Sequence, residues 1–261
     1  MSKQQGASKH FSSSVLLWMR TDQPRQAGMD RWKGPHSAII AATPGLHEYR
    51  QIHLAEHNPG RWPETDGVET AIPADRKIDG IAEVTFDSAL APLAGRKQTA
   101  LAYADEINIF RRTLLYLGPP GSSRWYDVAP GEKVGSRAVV YLRRRKGQGP
   151  RAFPRFIKSE LVPALRATGV LKELRTQAFL PWSEKTWDTP NVAHDNPADQ
   201  RLHASLILGF ADDAGRDAFF DGRARQLSGL LAPHASAVHA YDVAAALTYV
   251  RNGRVLPAFE E

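Results

Sequence analysis

The chain has 261 residues and a formal net charge of +6, from 34 lysines and arginines against 28 aspartates and glutamates. With 42% hydrophobic and 24% charged residues, its composition is that of a folded globular protein and excludes a chain that is mainly disordered. It contains no cysteine, which excludes disulfides, thiolate metal sites and cysteine nucleophiles and leaves histidines and carboxylates as metal ligands.

The chain begins with a polar stretch, residues 1–12, which is rich in Ser, Lys and Gln. We expect this stretch to be a disordered leader. The apolar run that follows, Val15 to Met19, is too short for a signal peptide or a membrane span. These features predict a cytoplasmic protein without membrane association.

The apolar pattern after the leader alternates between strand-like and helix-like segments. The first half predicts a strand at 14–20, a helix at 24–42, a strand at 46–54, a long loop at 57–78, a strand at 80–87, a helix within 88–108 and a strand at 109–117. The second half predicts a strand at 136–144, a helix at 151–167, a strand at 170–180, a long loop at 181–199, a strand at 201–210, a helix at 213–231 and a strand at 234–249. Each half therefore has the order βαββαβ of the ferredoxin-like motif.

The two halves also align with each other at one constant offset of 124 residues. At this offset Trp32 meets Phe156, Gly45 meets Gly169, and other apolar pairs are Val84 with Leu208, Phe86 with Phe210 and Leu114 with Val238. A single offset that serves every element indicates a duplication. A sheet with helices on one face needs a cover for its other face. We therefore predict an α+β fold in which two tandem ferredoxin-like units, 13–130 and 131–255, pack as an intramolecular dimeric α+β barrel, followed by a tail at 256–261.

Four segments of the first half resemble the EthD-like family of dimeric α+β barrel proteins. They are WKGPH at 32–36, PGLHEY at 44–49, DGIAEVTF at 79–86 and the pair Asp105-Glu106. Fold relatives include cofactor-free monooxygenases, muconolactone isomerase-type enzymes, polyketide cyclases and haem-binding enzymes, so the resemblance implies a fold and a range of activities. The second half has Phe156 and Glu160 at the positions of the family's Trp and His. Any chemistry is therefore expected in the first half alone.

Strand alternation sorts the predicted side chains into two faces. The set expected to face the helices is Ala82, Val84, Phe86, Ile52 and Leu54. The set expected to face the barrel interior together with Glu83 is Ile81, Thr85, Tyr49, Gln51 and His53. Buried polar groups need hydrogen-bond partners or a ligand, so this second set predicts a ligand-binding surface.

Three residues are candidates for catalysis. Burial of Glu83 beside aromatic rings would raise the pKa of its carboxyl and make it a general base or acid; the alternative is a Glu held by an Arg or Tyr across the barrel. His36 lies one helical turn after Trp32 and either transfers a proton or is a hydrogen-bonded core residue. Tyr49 either donates a hydrogen bond to a substrate carbonyl or enolate, or packs in the core.

Further residues have structural as well as functional interpretations. Asp105 and Glu106 sit late in a helix, where a salt bridge with Arg111 or Arg112 would compensate their charge. The predicted ligand-binding residues are Trp18, Trp32, Gln51, His53 and Thr85, with core packing as the alternative for the two tryptophans.

The run Arg143 to Lys146 comes at the end of a predicted strand and is interpreted as a solvated rim, with attraction of an anionic substrate as an alternative. The strand pattern of RNA-recognition domains is absent, and no nucleic-acid partner is expected. The histidines show no metal-ligand spacing, so we predict no metal and no cofactor, with haem on His36 or His239 as an alternative.

Taken together, these residues predict a small-molecule enzyme. Its first half would bind an aromatic or polyketide-like carbonyl compound between barrel and helix and would act by proton transfer, as an isomerase, cyclase, dehydratase or cofactor-free oxygenase. The alternative is a non-catalytic carrier of a small ligand in a degradative or biosynthetic pathway. The duplicated chain would be a monomer or a homo-oligomer.

Overall fold

The computed structural model describes residues 6–260, which form ten strands and four helices. The strands are β1 (Ala7–Met19), β2 (Leu46–Leu54), β3 (Gly80–Phe86), β4 (Phe110–Leu117), β5 (Ser123–Tyr126), β6 (Ser136–Arg144), β7 (Glu173–Ala178), β8 (Ala204–Phe210), β9 (Ala235–Arg251) and β10 (Arg254–Glu260). Eight of them close into an antiparallel barrel in the order β9-β2-β3-β1-β5-β7-β8-β6, and β6 returns to β9. Outside this ring, β4 pairs with β1 and β10 pairs with β9. Closure leaves the barrel without exposed strand edges.

Four helices cover the outer surface of the barrel. Helix α1 spans 25–41, α2 is Arg96–Glu106, α3 spans 152–167 and α4 spans 213–231. Three of them contain a five-residue π-helical turn, at Trp32–His36, Ile157–Leu161 and Phe219–Arg223. Such turns often occur at functional sites, and the one in α1 carries His36.

Long strands join the two halves of the barrel. The first part of β9 pairs with β6 and its second part pairs with β2 of the first half. The start of β1 pairs with β5, and β5 pairs in turn with β7 of the second half. The strand order is β4-β1-β3-β2 in one half and β9-β6-β8-β7 in the other. The predicted α+β barrel is therefore confirmed, whereas its origin from two tandem ferredoxin-like units stays a prediction.

Three apolar clusters organise the interior. One lies inside the barrel and includes Leu16, Ile81 and Tyr141. The second lies between the first-half sheet and helices α1 and α2, and includes Leu17 and Trp32. The third and largest fills the equivalent space of the second half. Successive residues of a strand thus contribute alternately to the barrel interior and to a sheet–helix layer.

The two segments that were predicted as a disordered leader and a tail contain strand residues in the structure. Strand β1 begins at Ala7, so residues 7–12 are ordered, while residues 1–5 lie outside the described residues. Polar residues at the end of this stretch can be buried because they form hydrogen bonds. The Ser12 hydroxyl, for example, lies 2.8 Å from the Thr85 hydroxyl. At the other end, residues 254–260 form β10 against β9, so the predicted tail is also a strand.

The face assignment was correct for β3 and wrong for β2. Ala82 and Val84 lie in the sheet–helix cluster, and Ile81 lies inside the barrel, as predicted. On β2, however, Ile52 pairs directly with Ile81, and residues that are paired across strands share a face. The prediction assumed that apolar β2 residues would face the helices. The barrel interior is itself apolar, and Tyr49, instead of Ile52, faces the helices.

Candidate functional site

A cavity of about 410 Å³ lies between the first-half sheet and helices α1 and α2. This sheet–helix cavity has a volume typical of small-molecule sites, which are roughly 300–1,000 Å³. Its apolar wall comes from β1, β3 and β4. Its polar and aromatic groups include Trp32 and His36 from α1, Tyr103 and Glu106 from α2, and Trp187 from the loop before β8.

His36 is held in this cavity by Asp105, the penultimate residue of α2. Its Nδ1 lies 3.0 Å from Oδ2 of Asp105, and the His36 residue is only 3% exposed. Burial lowers the pKa of His36 despite the opposing carboxylate, which favours the neutral ring. With Nδ1–H donated to Asp105, Nε2 carries the free lone pair. The arrangement therefore leaves one imidazole nitrogen able to accept a proton, on a residue that lines a mainly apolar cavity.

The predicted partners of Asp105 and Glu106 were wrong. Asp105 pairs with His36 and with Arg31, whose Nε donates to Asp105 Oδ1 at 3.0 Å. Arg112 instead pairs with Asp195 at 2.8 Å. The prediction considered only cations close in sequence, whereas helix α1 packs beside α2 and supplies both partners.

Glu106 was predicted to form a salt bridge, but its observed partners are neutral. Its carboxylate is buried and accepts hydrogen bonds from Trp187 Nε1 at 3.1 Å and from the Thr189 hydroxyl. Within residues 6–260, no guanidinium or ammonium nitrogen lies within 4 Å of its carboxylate. Burial therefore raises the pKa of Glu106 to about 7. A carboxyl beside a cavity with this pKa can donate or accept a proton near neutral pH.

Most of the predicted binding residues on β2 form a layer behind the cavity. Trp32 lines the cavity, and the His53 ring stacks on it at 4.6 Å. Gln51 donates to the Trp32 carbonyl at 2.7 Å and to the Tyr49 hydroxyl at 2.8 Å. Tyr49 stacks on Tyr249, and its burial raises the pKa of the phenol. These groups support Trp32 from outside the cavity wall, so the structure does not bring Tyr49, Gln51 or His53 into contact with it.

Glu83 faces the barrel interior as predicted but is held by cations. Its Oε2 lies 2.9 Å from Nη2 of Arg50 and 3.5 Å from Nη1 of Arg175. Glu173 and Glu48 complete this buried network, which Arg137 joins from β6. Thr85, two residues further along β3, pairs with Ser12. Of the two predicted interpretations of Glu83, the geometry favours the ion pair, and its catalytic role stays a prediction.

Trp18 lines a different cavity, of about 810 Å³, inside the barrel. His239, predicted as the alternative to His36 for a haem ligand, also lines it, with Nε2 2.8 Å from Oε1 of Glu69. Within residues 6–260, no group of three or more His, Asp or Glu side chains is placed to hold a metal ion. No helix in that range has the length and apolar character to cross a membrane.

No protein-family model matches the chain, and a comparison with curated proteins finds no matching sequence. Solved structures do match. An anthrone oxidase-like protein aligns over 92% of this chain and 94% of its own, with 10% identity and a TM-score of 0.56. A candidate monooxygenase of Lactobacillus acidophilus aligns over 97% and 100%, and one of Fusobacterium nucleatum over 97% and 98%, each with 8% identity and a TM-score of 0.52. At these identities the likeness establishes a shared α+β barrel fold along nearly the whole chain.

Proposed function

We propose that the protein is a small-molecule enzyme that moves a proton on an aromatic or polyketide-like carbonyl compound bound in the sheet–helix cavity. The observation that carries this proposal is the contact between His36 Nδ1 and Asp105, which orients a neutral imidazole in an apolar cavity. An oriented imidazole in a water-poor site is a typical general base. The name of one structural neighbour, an anthrone oxidase-like protein, agrees with this class of substrate.

Each residue of the site has a separate part in this chemistry. Asp105 fixes the ring orientation and stabilises the imidazolium that forms when Nε2 takes a proton from a carbon next to the carbonyl or conjugated with it. Protonated Glu106 can donate a hydrogen bond to the enolate oxygen as negative charge develops there. Trp32 and the apolar strand residues exclude water and offer flat surfaces to an aromatic substrate. General acid–base catalysis of this kind contributes roughly 10²- to 10⁴-fold.

The proton transfer can also start an oxygenation without a cofactor. For anthrone, loss of a methylene proton gives a carbanion whose charge is delocalised onto the carbonyl oxygen. This anion reacts with molecular oxygen, and loss of one water molecule then gives anthraquinone. All four electrons are accepted by O₂, so the step needs no other oxidant. Isomerisation, cyclisation and dehydration share this proton abstraction and differ in the later bond changes.

The first step can be tested with three probes, anthrone, 1-tetralone and acetylacetone. The purified protein is incubated with each probe in D₂O under argon. NMR then follows deuterium incorporation at the acidic C–H position, which is the methylene of anthrone, the carbon next to the carbonyl of 1-tetralone and the carbon between the two carbonyls of acetylacetone. Anthrone is also incubated in air, and anthraquinone is measured by its absorbance. We expect acceleration over buffer with at least one probe, and a loss of about 10² or more in His36→Gln and Asp105→Asn.

The exposed His57 supplies a matched control, because it lies outside the cavity lining. His57→Gln is expected to keep the wild-type rate. Unchanged exchange in a folded His36→Gln variant would refute the assignment of the base. Absence of any acceleration with all three probes, while a probe still binds, would favour the second candidate, a non-catalytic carrier that uses the same cavity.

We also infer that the chain is a diverged EthD-like protein that arose by duplication. The segments at 32–36 and 79–86 and the pair Asp105-Glu106 support this family, because they supply the cavity's base, one of its walls and its buried acid. The common strand order of the two halves supports the duplication.

A further inference from the structure

The barrel interior contains a second cavity, separate from the sheet–helix cavity. This barrel cavity, of about 810 Å³, is lined by Trp18 and by apolar or aromatic residues on the same inner face, namely Leu16, Leu114, Tyr116, Tyr141 and Tyr241. The neighbouring residues Val15 and Leu17 point to the other side of β1 and line the sheet–helix cavity. The sheet itself therefore divides the two cavities.

One end of the barrel is closed. Beyond the apolar layer lies the network of Glu83, Arg50 and Arg175, none of which lines the barrel cavity. Tyr141 marks the boundary, with its hydroxyl 3.1 Å from that of Ser14. The cavity is consequently closed at this end, and a molecule would enter it from the opposite end.

The open end of the barrel cavity, which we call the mouth, is strongly basic. Its lining includes five cationic side chains, Arg76, Arg143, Arg144, Arg145 and Lys146, against two carboxylates, Glu69 and Asp199. The sequence interpretation placed the run 143–146 on a solvated rim. Alternation along β6 instead puts Arg143 on the inner face, two residues after Tyr141, with its side chain only 14% exposed. Arg144 also lines the cavity, because the pairing register between β6 and β9 shifts between Arg143 and Arg144 and the alternation is interrupted there.

Three donors of residues that line this cavity are without acceptors. Trp18 Nε1, Arg76 Nε and Arg143 Nε are buried and have no hydrogen-bond partner within the part of the chain that the structure describes. Arg143 reaches a carboxylate only at 3.5 Å, through Nη1 to Glu69. Buried N–H groups normally have acceptors. A ligand that brings acceptor oxygens to the mouth would satisfy the guanidinium.

The mouth also perturbs a neighbouring histidine. Burial, together with repulsion by Arg144 and Arg143, lowers the pKa of His203 to about 4. The backbone N–H of Arg144 donates to His203 Nδ1 at 3.2 Å, so the neutral ring is built into the mouth. The electrostatic environment at this end thus favours anions.

We propose that the barrel cavity binds an apolar carboxylic acid, with its carboxylate at Arg143 and Arg144 and its apolar body beside Trp18. An acid matches both parts of the cavity, because the closed end offers aromatic and aliphatic surface and the mouth offers guanidinium groups. This site is independent of the proposed proton-transfer chemistry, since it lies on the other face of the sheet.

The test uses 2-naphthoate, its neutral analogue 2-naphthalenemethanol, and decanoate as probes in titration calorimetry. We expect both acids to bind and the alcohol to bind at least tenfold more weakly than naphthoate. Arg143→Gln and Arg144→Gln are each expected to weaken naphthoate binding about tenfold. Added salt should weaken binding as well, because the contact is charged.

Two control variants make the result decisive. Arg223→Gln removes an exposed arginine outside the mouth and should leave binding unchanged. His36→Gln alters the sheet–helix cavity and should also leave it unchanged. The proposal would be overturned if neither acid binds, if the alcohol binds as tightly as naphthoate, or if binding survives both mouth substitutions. Loss of binding in His36→Gln would place the acid in the other cavity and would equally overturn it.

Discussion

The raised pKa of Glu106 makes a quantitative prediction about stability. The Glu106→Gln substitution keeps the size of the side chain and its amide oxygen can still accept from Trp187 and the Thr189 hydroxyl. It removes the ionisation. The folded and unfolded forms of the wild type bind a proton at this position with different pKa values, about 7 and the ordinary 4.5, whereas the variant has no proton to exchange there.

Linkage between folding and proton binding gives the sign. At pH values well below 4.5 the carboxyl is protonated in both states and contributes no difference. Between about 4.5 and 7 the unfolded chain releases the proton and the folded chain retains it, so the free energy of unfolding falls as pH rises. Each pKa unit corresponds to about 1.4 kcal/mol. The wild type should therefore lose about 3 kcal/mol relative to Glu106→Gln across this window, with no further change above pH 8.

The assay is urea unfolding of both proteins, followed by tryptophan fluorescence at intervals from pH 4.5 to 8.5. Taking the difference between variant and wild type removes the contributions of other titrating groups, such as the buried His36. Glu184→Gln, at an exposed position, serves as the control and should follow the wild type. Parallel pH curves for the wild type and Glu106→Gln would refute the assignment of a raised pKa, and with it the proposed role of Glu106 as a proton donor.

Two other substitutions test the scaffold by urea unfolding. Arg50→Met leaves Glu83 without its nearest cation in the buried network. We therefore expect the free energy of unfolding to fall by about 3–5 kcal/mol near pH 7, and by less in acid, where the carboxylates protonate. A fall below about 1 kcal/mol near pH 7 would contradict this. An ideal Cβ at Gly80 would lie 2.3 Å from Trp32 Cζ3, so Gly80→Ala should cost about 1–3 kcal/mol. Gly34→Ala, where no atom lies within 4 Å, should be neutral or stabilising by about 0.5–1 kcal/mol, and equal costs at both glycines would disprove the packing argument.

The sequence predicted the fold well because each element carries a local signal. Helix α1 was expected at 24–42 and spans 25–41, and β2 was expected and found at 46–54. Short strands with little apolar content gave no such signal. Strand β5, Ser123–Tyr126, was missed because its stability comes from pairing with β1 and β7 on both sides.

The candidate site was predictable only in part. His36 was identified from the resemblance of residues 32–36, and it does line a cavity. Its partner Asp105 was assigned to a sequence neighbour, because a contact between residues 69 positions apart has no local signature. The β2 residues were assigned to the wrong face, since two apolar layers give the same pattern of burial on both sides of a strand. The raised pKa of Glu106 could not be predicted either, because the carboxyl is surrounded by residues such as Trp187, which lies 81 positions later in the chain.

Each half also contributes a tryptophan to the other, with different surroundings in the two cases. The loop before β3 sends Trp62 into the second-half core, where Nε1 donates to the Ser228 hydroxyl at 3.0 Å. The loop before β8 sends Trp187 to the first half in a similar way, but there the ring binds Glu106 at the edge of an open cavity. At the position matching His36 the second half has the exposed Glu160.

The layer between sheet and helices that holds His36 in the first half contains a large apolar cluster in the second. Phe156, the counterpart of Trp32, stacks on His234 at 3.8 Å and is almost fully buried. A dimer of identical units would have to keep both spaces open or both filled, because one sequence would serve each half. Within one chain the second half can become a packed scaffold that closes the barrel and lends Trp187 to the site. The buried carboxyl of the first half therefore depends on packing that only the second half supplies.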